Sequence, residues 1–377
     1  MNILWFLDKQ FDVSLSRVTW LETFRFLQHD NIIFPIVGFK KSRLQFSDLR
    51  QKIIYLNSPK IRYLNRIGFY WNQIKHFKSF VLKYKPTTIV FNTNNYRLLV
   101  KAARLKKRYS YRCFLDVRTL PVSAKKYQNL VIEALFKNAL STAARHFDGI
   151  TYITEEIRNY CKFKFNLTEH ESEIWTSGVD IDVFKPEHLD GPKNSLKILY
   201  HGSIVANRGL QNAVKALALI KNHDIEFSFL GEGDGLDELK RLSLDLGLER
   251  QVVFHDSVPY SDVPRYILAA DAGILPFPDW PGWNTSSPIK LFEYLACGKP
   301  VIVTRIPAHT NVLQGADFAF WAESSSPEAI ASAIVKAFDV REKFGFIGLK
   351  ARQLAVEKYS WESQAHKLER FLNREDR

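Results

Sequence analysis

S-S-P-I-K-L-F-E-Y-L-A-C-G-K-P-V-I-V-T, residues 286–304, places a helical pattern directly before a short β-branched run. Ser287 suits a helix N-cap and Pro288 the first helical position. Leu291, Phe292 and Leu295 form the expected packed face, and the helix is expected to run through Cys297. Gly298 supplies a stop, with Pro300 following. P-V-I-V-T then reads as a buried strand. Glu293 falls on the second turn of this helix, five residues past Pro288. A glutamate is seldom fully buried unless something pairs with it. Either Glu293 is a solvated residue on a helix edge, or it has a ligand.

Working outward, short apolar runs alternate with helical pattern along the whole chain. The front half carries candidate strands at 2–7, 32–37, 52–56, 88–92, 112–116 and 149–154, with helical pattern between most of them, as at 126–145. The back half repeats the rhythm at 197–202, 226–231, 251–255, 271–276, 300–304 and 317–321, and after about residue 326 it reads as helix only. This βαβα alternation predicts an α/β fold of two doubly wound, Rossmann-like domains. Residues 174–195 are rich in Gly, Pro, Asp and Ser and mark the join. The expected division is a front domain over 1–178, a linker over 179–195, a back domain over 196–358 and a C-terminal helix over 359–377. Two such domains are expected to face each other across a cleft, with ligands at the carboxyl ends of the strands.

Composition narrows the function. The chain has 377 residues, 46% hydrophobic and 25% charged, which is ordinary for a folded protein. No apolar run approaches the ~18 residues of a membrane span. The N-terminus M-N-I-L-W-F-L-D reads as a first strand, without the basic start of a secretory leader. Three widely spaced cysteines, Cys113, Cys161 and Cys297, show no metal spacing and suit a reduced, cytoplasmic protein. The net charge of +13 is uneven. Residues 1–150 hold 27 Lys/Arg against 8 Asp/Glu, a balance of +19, whereas residues 191–377 hold 22 against 23. Between Leu49 and Leu115 there are sixteen basic residues and no acid. One half is therefore expected to meet an anionic surface or ligand.

Several loops could carry chemistry. H-G-S-I-V-A-N-R-G-L (201–210) follows a strand; its glycines, Gly202 and Gly209, and Arg208 would let backbone and guanidinium approach a phosphate together. L-G-E-G-D-G-L (230–236), with Gly231 and Gly233, is one residue short of a dinucleotide fingerprint and reads equally as a tight turn. L-D-V-R-T-L-P (115–121) puts Asp116 and Arg118 at a strand end, where they would project into the cleft or form a local ion pair. The segment 61–85 interleaves aromatic and basic residues at helical spacing. It suits an anionic lipid surface, nucleic acid, or an ordinary amphipathic helix.

In their order and spacing these stretches resemble the retaining glycosyltransferases of the GT-B fold, family GT4. The resemblance is carried by W-T-S-G-V-D-I-D-V-F-K-P (175–186), the loops at 201–210 and 230–235, V-P-Y-S-D-V-P-R-Y-I-L-A-A-D-A-G-I-L-P (258–276) and residues 287–302. It covers nearly all of the back domain; the front domain shares only its rhythm and D-V-R-T. The resemblance implies that Glu293 holds the ribose of a donor nucleotide and that Arg208 stands where the family usually has a phosphate-contacting Lys. It implies that the segment Ser286, Ser287, Pro288, Ile289 and Lys290 faces the diphosphate, with the amides of Ser287 and Ile289 turned to it, and that Gly202, Ser203, Gly209, Gly231 and Gly233 lie on the nucleotide side. The sequence departs from the family at two places. Thr285 replaces the first Glu of the E-x7-E signature, which contacts the donor sugar, and Ser203 replaces a second phosphate-binding Arg. In place of the usual front-domain Gly-rich loop stands D-K-Q-F-D-V-S-L-S-R (8–17), leaving Ser14, Ser16 and Arg17 as acceptor-side candidates. Asp116 and Arg118 stand in for the family's cleft histidine.

The activity implied by this resemblance is that of a hexosyltransferase moving a sugar with retention from a UDP- or GDP-type donor to a hydroxyl of a glycan or lipid-linked acceptor. Arg208 and the helix N-terminus would stabilise the leaving diphosphate, which itself helps take the acceptor proton. No cofactor beyond the nucleotide-sugar substrate, no metal and no nucleic acid is expected. Peripheral binding through residues 60–112 at the inner face of the plasma membrane is expected. The competing readings are a catalytically silent GT-B nucleotide-binding scaffold and a nucleic-acid-binding protein using the basic front half.

Overall fold

A computed structural model of the chain describes residues 1–10, 16–27, 31–38, 54–56, 65–92, 95–120, 126–187, 194–221 and 223–374. The chain divides into two units, Met1–Thr176 with Trp361–Arg377, and Ser177–Ser360.

The first unit is built on a parallel sheet of β1 (Asn2–Gln10), β2 (Ile32–Gly38), β3 (Ile54–Leu56), β4 (Thr88–Asn92), β5 (Arg112–Val117), β6 (Gly149–Tyr152) and β7 (Ser172–Ile174), in the order β3-β2-β1-β4-β5-β6-β7. Strand β1 shows why both faces must be covered. Leu4 and Phe6 enter one core with Phe77, Phe91 and Leu98, while Ile3, Trp5 and Leu7 enter another with Phe24 and Phe114. Successive side chains of a strand point to opposite faces, so a continuous apolar run demands helices on both sides. The second of these cores is completed by the Trp361–Asn373 helix, whose Leu368, Phe371 and Leu372 are buried in it.

The second unit carries β8 (Leu196–His201), β9 (Ile225–Leu230), β10 (Val252–His255), β11 (Ala272–Leu275), β12 (Val301–Thr304) and β13 (Ala319–Ala322), ordered β10-β9-β8-β11-β12-β13 and parallel throughout. The strand order reverses between β8 and β11. At such a switch point the loops leaving the two strands turn to opposite faces and open a crevice at their carboxyl ends. The described part of the segment read as a linker is instead packed into this unit. Phe184 is fully buried, the backbone of Val179 bridges to Ser360, and Asp180 Oδ1 accepts from the amides of Asp182 and Val183. An Asx turn and a buried aromatic hold what composition alone marked as loop.

Candidate functional site

The helix Ile289–Ala296 follows β11 and is buried from Lys290 to Ala296. Tyr294 fastens it to β8: its hydroxyl donates to the Leu199 carbonyl at 2.8 Å and accepts the His201 amide at 3.1 Å. At the other end, Arg352 donates to the carbonyls of Ala296, Phe184 and Ile181, closing the helix C-terminus. The helix starts one residue later than the sequence suggests. Its N-cap is Pro288, without a side-chain cap. Ser287 is drawn away by Ser177, whose amide and hydroxyl donate to the Ser287 hydroxyl and carbonyl at 3.2 and 3.1 Å.

Glu293 is not a solvated edge residue. It is 2% exposed. Tyr260 donates to its Oε1 at 2.7 Å, and His201 Nε2 lies 3.2 Å from its Oε2 without the alignment of a hydrogen bond. Burial pushes the carboxyl up to about 7, against the opposing pull of Tyr260 and Lys290. His201 is held well below the ordinary histidine value by burial and by Lys290, and so is neutral near pH 7. Lys290 is buried with its Nζ over the Tyr200 ring, 3.7 Å from the centroid. Its ammonium is pulled well below the ordinary lysine value by burial and by Arg208, with Glu293 opposing.

Arg208 ends a single 3-10 turn, Ala206–Arg208. Its Nη1 donates to the Tyr200 hydroxyl at 3.0 Å and to the Ser203 carbonyl at 3.2 Å. The guanidinium stands 5.2 Å from the Trp283 ring centroid and 5.8 Å from that of Phe277. Gly209 makes this placement possible. With φ +74° and a would-be Cβ only 2.0 Å from the Pro276 carbonyl, it brings the β8 loop against the exit of β11. Gly231 and Gly233 act likewise. Their loop is zipped to Gly202 and Ile204 by backbone hydrogen bonds from Gly202 to Leu230 and from Ile204 to Glu232. Thr285 donates back to the Pro281 carbonyl at 2.9 Å, and Ser286 to that of Trp283 at 2.7 Å.

Gly202, Ser203, Arg208, Gly209, Gly231, Gly233, Thr285, Ser286, Ser287, Pro288, Ile289, Lys290 and Glu293 thus all belong to loops and one helix at the carboxyl end of the second sheet. The sequence reading missed His201, Tyr260 and Tyr200. Their signal was positional: His201 ends β8, and Tyr260 opens the turn after β10. The first amides of a helix have no intrahelical partners, so the Ile289–Ala296 N-terminus adds donors and a positive dipole end beside the two cations. The arrangement can hold an anion next to a group bearing hydroxyls.

The candidates in the first unit are placed differently. Asp116 is buried, accepting from Thr151 at 2.8 Å and Trp175 Nε1 at 3.0 Å on Oδ1, with Asn92 at 3.4 Å on Oδ2. Burial raises its carboxyl, and Arg118 and these hydrogen bonds oppose the rise. Arg118 donates to the Trp175 carbonyl at 2.9 Å and packs on that ring at 3.9 Å; burial lowers it to about 10. Both turn onto Trp175, a third arrangement beside the open side chain and the simple ion pair. Ser14 lies outside the described residues. Ser16 and Arg17 begin the Ser16–Leu27 helix, and their side chains are outside the description.

Residues 184–345 match the family model for glycosyl transferases group 1. Over these residues the chain is similar to the group 1 glycosyl transferases. An uncharacterized glycosyltransferase of Methanocaldococcus jannaschii is 24% identical over 215 residues, 53% of each chain. A GDP-mannose-dependent α-(1-6)-phosphatidylinositol monomannoside mannosyltransferase of Mycolicibacterium smegmatis is 21% identical over 253 residues, 63% of this chain and 65% of that one. The chain thus spans about half to two thirds of these curated relatives. Among solved structures, Anabaena Alr3699/HepE in complex with UDP matches with a TM-score of 0.76 and 14% identity over 99% of both chains, a likeness of fold. The chain has the GT-B fold.

Proposed function

We propose that the chain is a retaining hexosyltransferase that moves a sugar from a nucleotide-diphospho-sugar, of UDP or GDP type, to a hydroxyl of a glycan or lipid-linked acceptor in surface polysaccharide or glycolipid synthesis. One observation carries this reading. The buried carboxylate of Glu293 and the cation Arg208 both stand at the carboxyl end of the second sheet, on the elements that leave β11 and β8 at its switch point, beside a helix N-terminus. A carboxylate there accepts from paired ribose hydroxyls, and guanidinium and amides donate to a diphosphate. Similar chains include a GDP-mannose-dependent enzyme, and a protein of the same fold binds UDP, which supports a nucleotide donor without choosing the base.

In this mechanism Arg208 and the helix amides offset the charge that grows on the leaving diphosphate as the glycosidic bond lengthens. The leaving phosphate oxygen then takes the acceptor proton on the same face of the sugar, giving retention. No resident cofactor enters the scheme. Ser14, Ser16 and Arg17 remain the acceptor-side candidates. A thermal-shift screen of UDP, GDP, TDP, ADP and CMP tests the donor site. One nucleoside diphosphate should raise the melting temperature of wild type and not of Glu293→Ala. If none does so, the donor-site reading falls and the nucleic-acid reading takes its place; a shift without turnover of any donor would favour the silent scaffold.

The acceptor is reached, in the same proposal, at the inner face of the plasma membrane. Among the described residues no helix is long and apolar enough to cross a membrane. On the Asn65–Tyr84 helix, Ile67, Trp71 and Leu82 are exposed at 65%, 63% and 53%, and exposed Lys75 and Lys78 fall on the same face. Apolar side chains flanked by lysines on one helical stripe suit an anionic headgroup layer, to which each cation adds about 1 kcal/mol. Residues 60–64 and 93–94 of the expected surface lie outside the description. Trp71→Ala with Lys75→Glu should abolish co-sedimentation with anionic vesicles; unchanged binding would overturn this part.

A further inference from the structure

At the carboxyl end of the second sheet, Lys290 Nζ, His201 Nε2 and Arg208 Nε, grouped around Tyr200 and Glu293, are buried without a hydrogen-bond partner among the described residues, as are Asn284 Oδ1 and His309 Nε2 farther along the same end. Lys290 is the anomaly. It is 8% exposed, and a lysine is rarely buried so deeply unless something pairs with it. The carboxylate that acts on it, Glu293, is occupied by Tyr260 and faces His201. Nor is Lys290 alone as a cation. Tyr200 carries the Lys290 ammonium on its ring face and the Arg208 guanidinium on its hydroxyl. Two like charges gathered on one buried ring repel each other, and among the described residues no carboxylate bonds to either.

The same ring leads to Ser203. The Ser203 carbonyl accepts from the Tyr200 hydroxyl at 2.9 Å and from Arg208 at 3.2 Å. By resemblance this is the position of a second phosphate-contacting arginine, which this chain lacks. Lys290 reaches the same loop from the helix: its Nζ would lie 3.1 Å from a Cβ placed on the neighbouring Gly202. We infer that Lys290 and Arg208 form a paired cation site for the donor diphosphate, with Lys290 supplying from the helix the charge that Ser203 does not supply from the strand loop. This rests on the donor-site reading above and sharpens it. The site is built for two negative charges, so a nucleoside diphosphate should bind far better than the nucleoside alone. Lys290 and Arg208 should act on the diphosphate, and Glu293 on the ribose.

Calorimetry with a nucleoside diphosphate and its parent nucleoside separates these roles, using UDP with uridine and GDP with guanosine. Lys290→Met should lose at least tenfold in diphosphate affinity and leave nucleoside affinity unchanged. Ser203→Arg added to Lys290→Met should restore much of the loss, which a merely structural lysine would not allow. Lys290→Gln, neutral and polar, serves if the methionine variant folds poorly, with the same expectation. If Lys290→Met binds the diphosphate like wild type, the inference fails and the donor site stands. If wild type binds neither UDP nor GDP, the donor-site reading itself fails, and this inference with it.

Discussion

Asp116 and Glu293 are both carboxylates at 2% exposure, one in each unit, and both are raised by burial. Their surroundings differ. Around Asp116 the donors close on the carboxylate from Thr151, Trp175 and Asn92, and Arg118 lies on the tryptophan. Around Glu293 a single tyrosine donates, a histidine nitrogen stands close without bonding, and a buried ammonium and part of a guanidinium are unpartnered among the described residues. Buried polar groups in folded proteins nearly always find partners. A closed set is part of the fold's own stability, whereas an open set marks where a ligand completes the bonding. Burial alone does not tell the two apart; the partner inventory does.

The largest way to break this comparison is at the closed site. Asp116→Ala removes an acceptor from Thr151, Trp175 Nε1 and Asn92 and takes the neighbouring carboxylate from the Arg118 charge, and should cost about 3–5 kcal/mol in a urea melt. A loss below ~1 kcal/mol would show that the network is not structural. At the open site, Arg208→Met should lower kcat/KM about 100- to 1000-fold, or ~3–4 kcal/mol, while shifting the melting temperature little. A parallel collapse of stability would place Arg208 with Asp116 instead.

Glu293→Gln sharpens the contrast through pH. The Glu293 carboxyl is about 7 when folded against an ordinary value of 4.5. Its contribution to stability is therefore fully present below 4.5 and is lost as pH rises through 7. Up to about 3 kcal/mol of unfavourable ionisation is in place by pH 8. The glutamine variant escapes that change, so its melting temperature relative to wild type should climb between pH 5 and 8 while nucleotide affinity falls. A flat difference would mean that the carboxylate is hydrated. Lys290→Met should give the smallest effect, a gain of ~1–2 kcal/mol without ligand, because an unpaired buried ammonium is removed. A destabilised variant would mean that the fold itself uses this charge.

Much of the architecture was legible because parallel strands buried on both faces are written as apolar runs. β1, β2, β4 and β5 begin at the residues read from the sequence, and the reversal at Gly298 falls where glycine adopts φ +69°. Strand β7 was not legible: S-E-I is three residues long and two of them are polar, so no periodicity can show. Ser287 as a cap failed for a different reason. Local capping preference was overridden by Ser177, a residue 110 positions away. At the site, loop glycines and Glu293 stood out by spacing. The burial of Glu293 did not, because Tyr260 and His201 reach it from two other strand ends. Lys290 was named with the segment that faces the diphosphate, but its burial over the Tyr200 ring was not legible.

The Trp361–Asn373 helix has a consequence for the order in which the chain becomes a protein. Its Phe371 packs edge-on against Phe114, and Leu368 and Leu372 close the core that holds Trp5 and Phe24. These partners lie more than 240 residues apart along the chain. On the ribosome, chains fold domain by domain as they emerge. Residues 177–360 can therefore close their own core while one face of the earlier unit still lacks its cover. The half synthesised first is the half completed last, and until residues 361–374 emerge its apolar face is open to chaperones.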